Sequence, residues 1–428
     1  MKAVFKITDL KDSNIPLGIF MFFLVFPVEF NNYSLALFII WWLFFKKYRE
    51  LGKLLERKAL LLFIFYYLFV VLGLAYTLNF NDSKSIASVT FSFFAFPILF
   101  GTLNISKKGL KTILLFFIAG VSIYTMILLF IASKNVIDAH SFYYTDPLHP
   151  TWKYYYLQYT RLSPFLSPIY LSIYTTVAIL SSLAILKESI ENKTWFILLI
   201  IYLLIFTFLL SSRLGLIAFV ISSIVYFFSS GTFKKLPFLN WKGIVTLITT
   251  TVLIIALLNS GLKSRLSKVL PFFTQDWKQV AQIDNSSGKR AQLYLISFDI
   301  IKSNLLIGLG SGASEFAIPL YYNKSFKSDF PLYVGGMNCH SQYLENMVSW
   351  GFTGLIITIF MLVSSLLVFA KGKNWLGVSV VASLSIIMLG ETILVRQKGV
   401  FIFVVFQIIL LAYEFSNIDS RKKIHRPI

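Results

Sequence analysis

The sequence predicts an all-α integral membrane protein with about twelve transmembrane helices. A large extracytoplasmic loop with short amphipathic helices is expected between helices nine and ten. Hydrophobic residues make up 57% of the 428-residue chain and charged residues only 14%, whereas a soluble domain carries about a quarter charged residues. The apolar runs recur along the whole chain, so 1–428 reads as a single polytopic membrane domain rather than about two or three soluble ones. Basic residues gather in the short segments between those runs. Despite a formal net charge of +20, that placement reports topology and contact with anionic membrane lipids, and no nucleic-acid partner is expected. A single cysteine, Cys339, excludes an intrachain disulfide framework and a cysteine-based metal cluster. The first apolar run lacks a small-residue cleavage site and more runs follow, so it reads as a span rather than a cleaved signal peptide.

A crossing helix needs about 20 apolar residues, within a range of about 17 to 25. Runs of that kind lie at 14–31, 32–46, 59–79, 85–103, 110–132, 164–186, 195–211, 213–230, 242–260, 342–370, 375–391 and 398–415. The second and eleventh have the shortest apolar cores. Between the seventh and eighth only Ser211, Ser212 and Arg213 remain, which makes a tight hairpin.

Lysines and arginines set the orientation. With Lys2, Lys6 and Lys11 in the cytoplasm, the same side receives Lys46 to Lys58, Lys107 to Lys111, and Lys187 with Lys193. It also receives Lys234, Lys235 and Lys242, then Lys371 and Lys373, and finally the tail with Arg421, Lys422, Lys423 and Arg426. Both termini are therefore expected in the cytoplasm. Two long loops then face outward, 133–163 and 260–341, the second acting as a lid on the bundle. Within that lid, Leu293, Leu295, Ile296, Ile300, Ile301 and Leu305 recur at helical spacing, predicting an amphipathic helix over 291–306 that lies on the bundle top or at the head-group level. Gly308, Gly310 and Gly312 end it. No repeat of solenoid length and no flexible linker divides the chain.

Three polar residues fall on the outer side near the membrane surface: Arg213 at the hairpin, Arg290 before the amphipathic helix and His340 at the start of span ten. Guanidinium presents a rigid fork that fits phosphate oxygens and stays charged. Two arginines can hold a pyrophosphate and stabilise it as it leaves. A histidine can take a proton from an incoming hydroxyl near neutral pH. Each residue has a plainer reading too: arginines at span ends anchor to lipid phosphates, and a histidine at a helix start is ordinarily a cap or surface residue.

Other features read as structure. The Gly308–Gly312 run is a turn, since no strand precedes it. Cys339 and His340 diverge as neighbours, which argues against a thiol nucleophile. Asp138, His140, Asp146 and His149 lack metal-ligand spacing. Tyr143, Tyr144, Trp152, Tyr154, Tyr155 and Tyr156 suit either sugar stacking or an interfacial aromatic belt. Glu345, one turn past His340, either orients it or is a helix-surface charge.

These residues carry a family resemblance. Leu209–Leu216, with Ser212-Arg213 at its centre, resembles the Ser-Arg segment of the O-antigen ligase and polymerase superfamily. Arg290 through Gly312 is similar to that family's arginine, helix and Asn-Pro-hydrophobic-Gly-x-Gly run, with Leu305 where proline is common. Cys339–Leu344, continuing to Trp350–Gly354, resembles its loop-closing histidine and the glycine-bearing helix that follows. Arg161, in Thr160–Phe165, matches a further arginine segment, although Ser167-Pro168 stands where Pro-Asn is frequent. The motifs span 155–365.

The resemblance implies a bacterial inner-membrane enzyme with its site on the periplasmic face. The implied reaction is inverting, metal-independent and cofactor-free glycosyl transfer from an undecaprenyl-pyrophosphate-linked glycan. Arg213 and Arg290 would bind the pyrophosphate, Arg161 would be an auxiliary contact, and His340 would activate the acceptor hydroxyl. A ligase would use lipid A–core or another glycan as acceptor, in lipopolysaccharide or surface-polysaccharide biosynthesis. A polymerase would join lipid-linked repeat units. A transporter or lipid flippase is the competing class, but it ordinarily places charges deep in its spans and repeats its halves.

Overall fold

The computed structural model describes residues 14–145, 153–188, 193–231, 276–282, 286–326 and 338–424. Helices of more than two turns are α1 (Asn14–Phe23), α2 (Val28–Phe44), α3 (Lys58–Gly73), α4 (Phe80–Thr90), α5 (Ser92–Leu99), α6 (Lys107–Asp138) and α7 (Pro168–Glu188). They continue as α8 (Lys193–Leu209), α9 (Arg213–Ser230), α10 (Ser286–Ser303), α11 (Ser314–Tyr321), α12 (Gln342–Gly372), α13 (Trp375–Gly390) and α14 (Gln397–Ile424). One antiparallel hairpin, β1 (Tyr143–Thr145) with β2 (Lys153–Tyr155), pairs Tyr143 with Tyr155. This is an all-α membrane architecture with a single small ribbon among the described residues.

Five described helices are long and apolar enough to cross a membrane: α6, Pro168–Lys187 of α7, α9, α12 and Gln397–Ser420 of α14. Val28–Phe44 with Lys47–Glu56, bent by 77°, makes a sixth if the pair is one span. The shorter apolar helices α1, α3, α8 and α13 coincide with further expected spans. The expected span at 242–260 lies outside the described residues. Two boundaries differ from the apolar runs, and proline accounts for the first. Pro27, which lacks an N–H to continue α1, stands at the N-cap of α2, so the first expected span closes at Phe23 and the second opens at Val28. The run 85–103 is split between α4 and α5 at Phe91.

Polar caps start two of the helices. Ser106 accepts from Gly109 N–H at 3.1 Å to begin α6, and Asn374 accepts from Gly377 N–H at 3.0 Å to begin α13. α14 is the central helix, buried without a break from Val400 to Ala412. Not every basic loop residue is solvated: Arg57 is buried, donates to Gly101 O at 2.5 Å and pairs with Asp419 at 3.1 Å, tying α3 to the end of α14.

A second, smaller core belongs to the lid. Ala291, Leu293, Ile296, Ile300 and Ile301 of α10 pack with Ala317 and Ile318 of α11, and with Cys339 and Val348. The predicted helix over 291–306 therefore differs in extent and setting. It begins at Ser286, because burial of Ser287 and Ala291 carries it a turn further back than the apolar spacing shows. Arg290 consequently lies inside the helix rather than ahead of it.

The lid meets the bundle where α12 is broken. Trp350 and Gly351 leave helical geometry, with Gly351 at φ 63° and ψ −152°. The backbone groups freed by the break bond to the lid: Leu309 N–H to Val348 O at 2.9 Å, Gly310 N–H to Ser349 O at 2.9 Å, and Phe352 N–H to Leu305 O at 2.7 Å. A Cβ on Gly351 would lie 2.4 Å from the carbonyl carbon of Leu306. Ser311 then reaches α3, its hydroxyl donating to Val70 O at 2.7 Å and accepting from Trp350 Nε1 at 2.9 Å.

Gly351→Ala should thus destabilise the fold by about 1–3 kcal/mol, the cost of a backbone region that is essentially glycine-only. The expected outcome is a lower thermal midpoint in detergent together with faster proteolysis within the lid. An unchanged midpoint and cleavage pattern would show that the break is not built around glycine.

Candidate functional site

His340 sits in a tight turn just before α12, at φ 47°. Asn338 Oδ1 accepts from His340 N–H at 3.1 Å and holds that turn. Beyond it, the start of α12 is laced to the end of α13: Ser341 donates to Met388 O at 3.4 Å and Tyr343 to Ser385 O at 3.1 Å. α13 ends at Gly390, and the next residue, Glu391, brings its carboxylate to 3.8 Å from His340 Nδ1. Nδ1 is buried and has no hydrogen bond among the described residues. Nε2 is left as the nitrogen that can face a substrate.

Glu345 does neither thing expected of it. It is buried, and it accepts from Ser314 Oγ at 2.5 Å and from Cys339 N–H at 3.2 Å. It thereby fastens the lid on both sides of its exit. The carboxylate nearest the His340 ring is that of Glu391, which follows α13.

Arginines arrive at the same place through Gly390. A Cβ there would lie 3.0 Å from Leu214 Cδ2 and, at 3.6 Å, in ordinary contact with Arg290 Nη1, so both α9 and the Arg290 guanidinium pack beside this glycine. One turn along α10, Tyr294 donates to His340 O at 3.3 Å and approaches Leu389 O at 3.5 Å. Burial raises the Tyr294 phenol above its usual range; the Arg290 charge opposes that rise and Glu391 adds to it. Arg213, exposed, is the first residue of α9 and precedes Leu214. The helix starts there because Ser212 accepts from Gly215 N–H at 3.3 Å. α9 packs along α13, which carries Arg213 to the junction.

The structure therefore gathers Arg290, His340 and Glu391 about Gly390, with Arg213 one residue from a direct contact. Arg161 meets the β-hairpin. Its guanidinium carbon lies 3.4 Å from the ring centroid of Tyr144, on the β-hairpin. His149 and Asp146 lie outside the described residues.

His340 and Glu391 open on a cavity of about 570 Å³, within the usual size of small-molecule sites. Its other walls come from Val28, Phe165 to Ser167, Tyr170, Asn338, and Arg396 to Lys398. Lys398 is committed to structure: it donates to Leu24 O at 3.1 Å, to Asn31 Oδ1 at 2.6 Å and to Phe26 O, clamping the α1–α2 turn. Sequence reasoning missed Glu391, Tyr294 and Arg396. One signal for two of them was present. The connection between spans eleven and twelve carries Glu391, Arg396 and Lys398, and the charge pattern puts it on the same side as His340.

Cys339 is fully buried, and burial pushes its thiol well above the ordinary range. As the chain's only cysteine, it gives a clean probe of lid docking. Maleimide at neutral pH should leave the native protein unlabelled in detergent and label it stoichiometrically after denaturation. Full labelling of the native protein would contradict the packed lid.

Residues 198–359 match the family model described as O-antigen ligase. The match runs from α8 through α9 and the lid into α12, so it takes in Arg213, Arg290 and His340 and stops short of Glu391 and Arg396. A search of curated proteins returned no match.

Proposed function

Because the chain belongs to the O-antigen ligase/polymerase superfamily through residues 198–359, we propose that its site transfers a glycan from an undecaprenyl-pyrophosphate donor to an extracytoplasmic acceptor. The family match and the apolar helices support a bacterial membrane protein of ligase or polymerase type, acting in surface-polysaccharide biosynthesis. The observation that carries the finer reading is the Gly390 junction, where Arg290 and the His340–Glu391 pair meet.

In this reading Arg213 and Arg290 hold the donor pyrophosphate and neutralise the charge that grows as it leaves. His340 Nε2 takes the proton of the acceptor hydroxyl, and Glu391 stabilises the imidazolium through the Nδ1 side. The hydroxyl oxygen bonds to the donor sugar's anomeric carbon as the bond to pyrophosphate breaks, on opposite faces, so configuration inverts. Charge neutralisation is assigned to guanidinium groups, with no metal and no cofactor. Arg161, on the hairpin side, is an auxiliary contact to the glycan.

The topology proposal is a single polytopic domain over 1–428 with about twelve spans, residues 260–341 as its lid and both termini in the cytoplasm. The site would face the periplasm from the inner membrane. Arg213, His340 and the 391–398 connection share one end of the bundle, which supports that placement. Ligase and polymerase differ in acceptor alone. Lipid A–core is the leading acceptor, and a second lipid-linked unit is the alternative.

His340→Ala should lower transfer by about 10²–10⁴-fold, the usual worth of a general base, with lipid-linked precursor accumulating and surface glycan lost. Glu391→Gln, which keeps shape and removes charge, should fall between that variant and wild type. Unchanged surface glycan in His340→Ala would sink the catalytic assignment.

A further inference from the structure

The cavity beside His340 is lined by neither Arg213 nor Arg290. Its own exposed basic group is Arg396, just ahead of α14. Among the described residues the Arg396 guanidinium has no hydrogen bond or ion pair. The neighbouring charges are already engaged. Glu391 faces His340 Nδ1, and Lys398 is tied to the α1–α2 turn through Leu24, Phe26 and Asn31. Glu315 on α11 feels the Arg396 charge without bonding to it. The cavity thus has apolar walls at Val28, Phe165 and Leu166, a histidine at one side, and a guanidinium with its donors unspent.

A base must come within about 2.6–3.2 Å of the proton it removes, so the acceptor belongs on the side of His340 that is open. That side is the cavity. A guanidinium there can recognise a phosphate or carboxylate through paired N–H donors. We propose that this cavity is the acceptor site and that Arg396 binds an anionic substituent of the acceptor glycan. The proposal rests on His340 acting as the base, and it divides the arginines: Arg213 and Arg290 serve the donor, Arg396 the acceptor.

The test uses the full chain in lipid nanodiscs with a lipid-linked donor glycan. Two synthetic acceptors are compared that differ only in one phosphate monoester. Arg396→Gln should raise KM for the phosphorylated acceptor about tenfold or more, the worth of hydrogen bonds to a charged group. The kcat, the donor KM and the KM for the neutral acceptor should stay within about twofold on the same scale, and Arg396→Lys should recover part of the loss. A rise in donor KM instead, equal effects on both acceptors, or no effect would overturn the proposal. An effect that disappears in discs free of anionic lipid would also overturn it, by making Arg396 a lipid anchor. Direct binding of the phosphorylated probe separates the two readings. Arg396-dependent binding without transfer would leave the anion site standing and overturn the transferase reading.

Discussion

The break in α12 at Trp350 and Gly351 is the constraint on which the site depends. Backbone groups freed at a break among buried residues must find partners within the protein. In this protein they find the lid, through Leu305 O and the N–H groups of Leu309 and Gly310. The break is therefore a docking socket. It fixes the end of α10 against the bundle, and α10 is the helix that presents Arg290 and Tyr294. With the lid undocked, Arg290 would sit on a long tether, and its approach to His340 would carry an entropic cost that the socket removes.

A second constraint is steric. Three elements converge at Gly390, where an added Cβ would come within 3.0 Å of Leu214 Cδ2, closer than such contacts ordinarily are. The junction is close enough for charges to act on one another: Tyr294 responds to both Arg290 and Glu391. Glu391 approaches His340 from α13 while Arg290 lies on the other side of Gly390, so the carboxylate and the guanidinium reach the junction from different helices.

Much of this was legible in the sequence, for physical reasons that differ by residue. Apolar runs are legible because a membrane tolerates little else, yet their ends were not, since Pro27 and the Phe91 boundary recut them into α1, α2, α4 and α5. Arg213, Arg290 and His340 stood out as polar groups at the outer ends of greasy segments. Their convergence did not, because it depends on the packing of α9 along α13 and on the space left by Gly390. Glu345 was legible as a partner for the loop histidine only by helical spacing. Its burial against Ser314 and Cys339 gives it a different task. Glu391 is 51 residues from His340 in the chain, and no periodicity links the two.

The extent of the family match bears on how labour is divided. The matched segment, 198–359, contains Arg213, Arg290 and His340. The cavity walls contributed by Val28, Phe165 to Ser167, Tyr170, Glu391 and Arg396 to Lys398 lie outside it. Donor and base, in the proposed mechanism, thus fall within the segment that defines the family, and the acceptor site is completed by the rest of the chain. Ligase and polymerase chemistry share a donor and differ in what attacks it, so the distinction between them belongs to those unmatched walls. Arg396 is the charged group there with donors to spare among the described residues, and in the proposed division of labour it favours an acceptor that carries an anion over one that does not. The charge of the acceptor is accordingly the property by which this pocket would select its substrate.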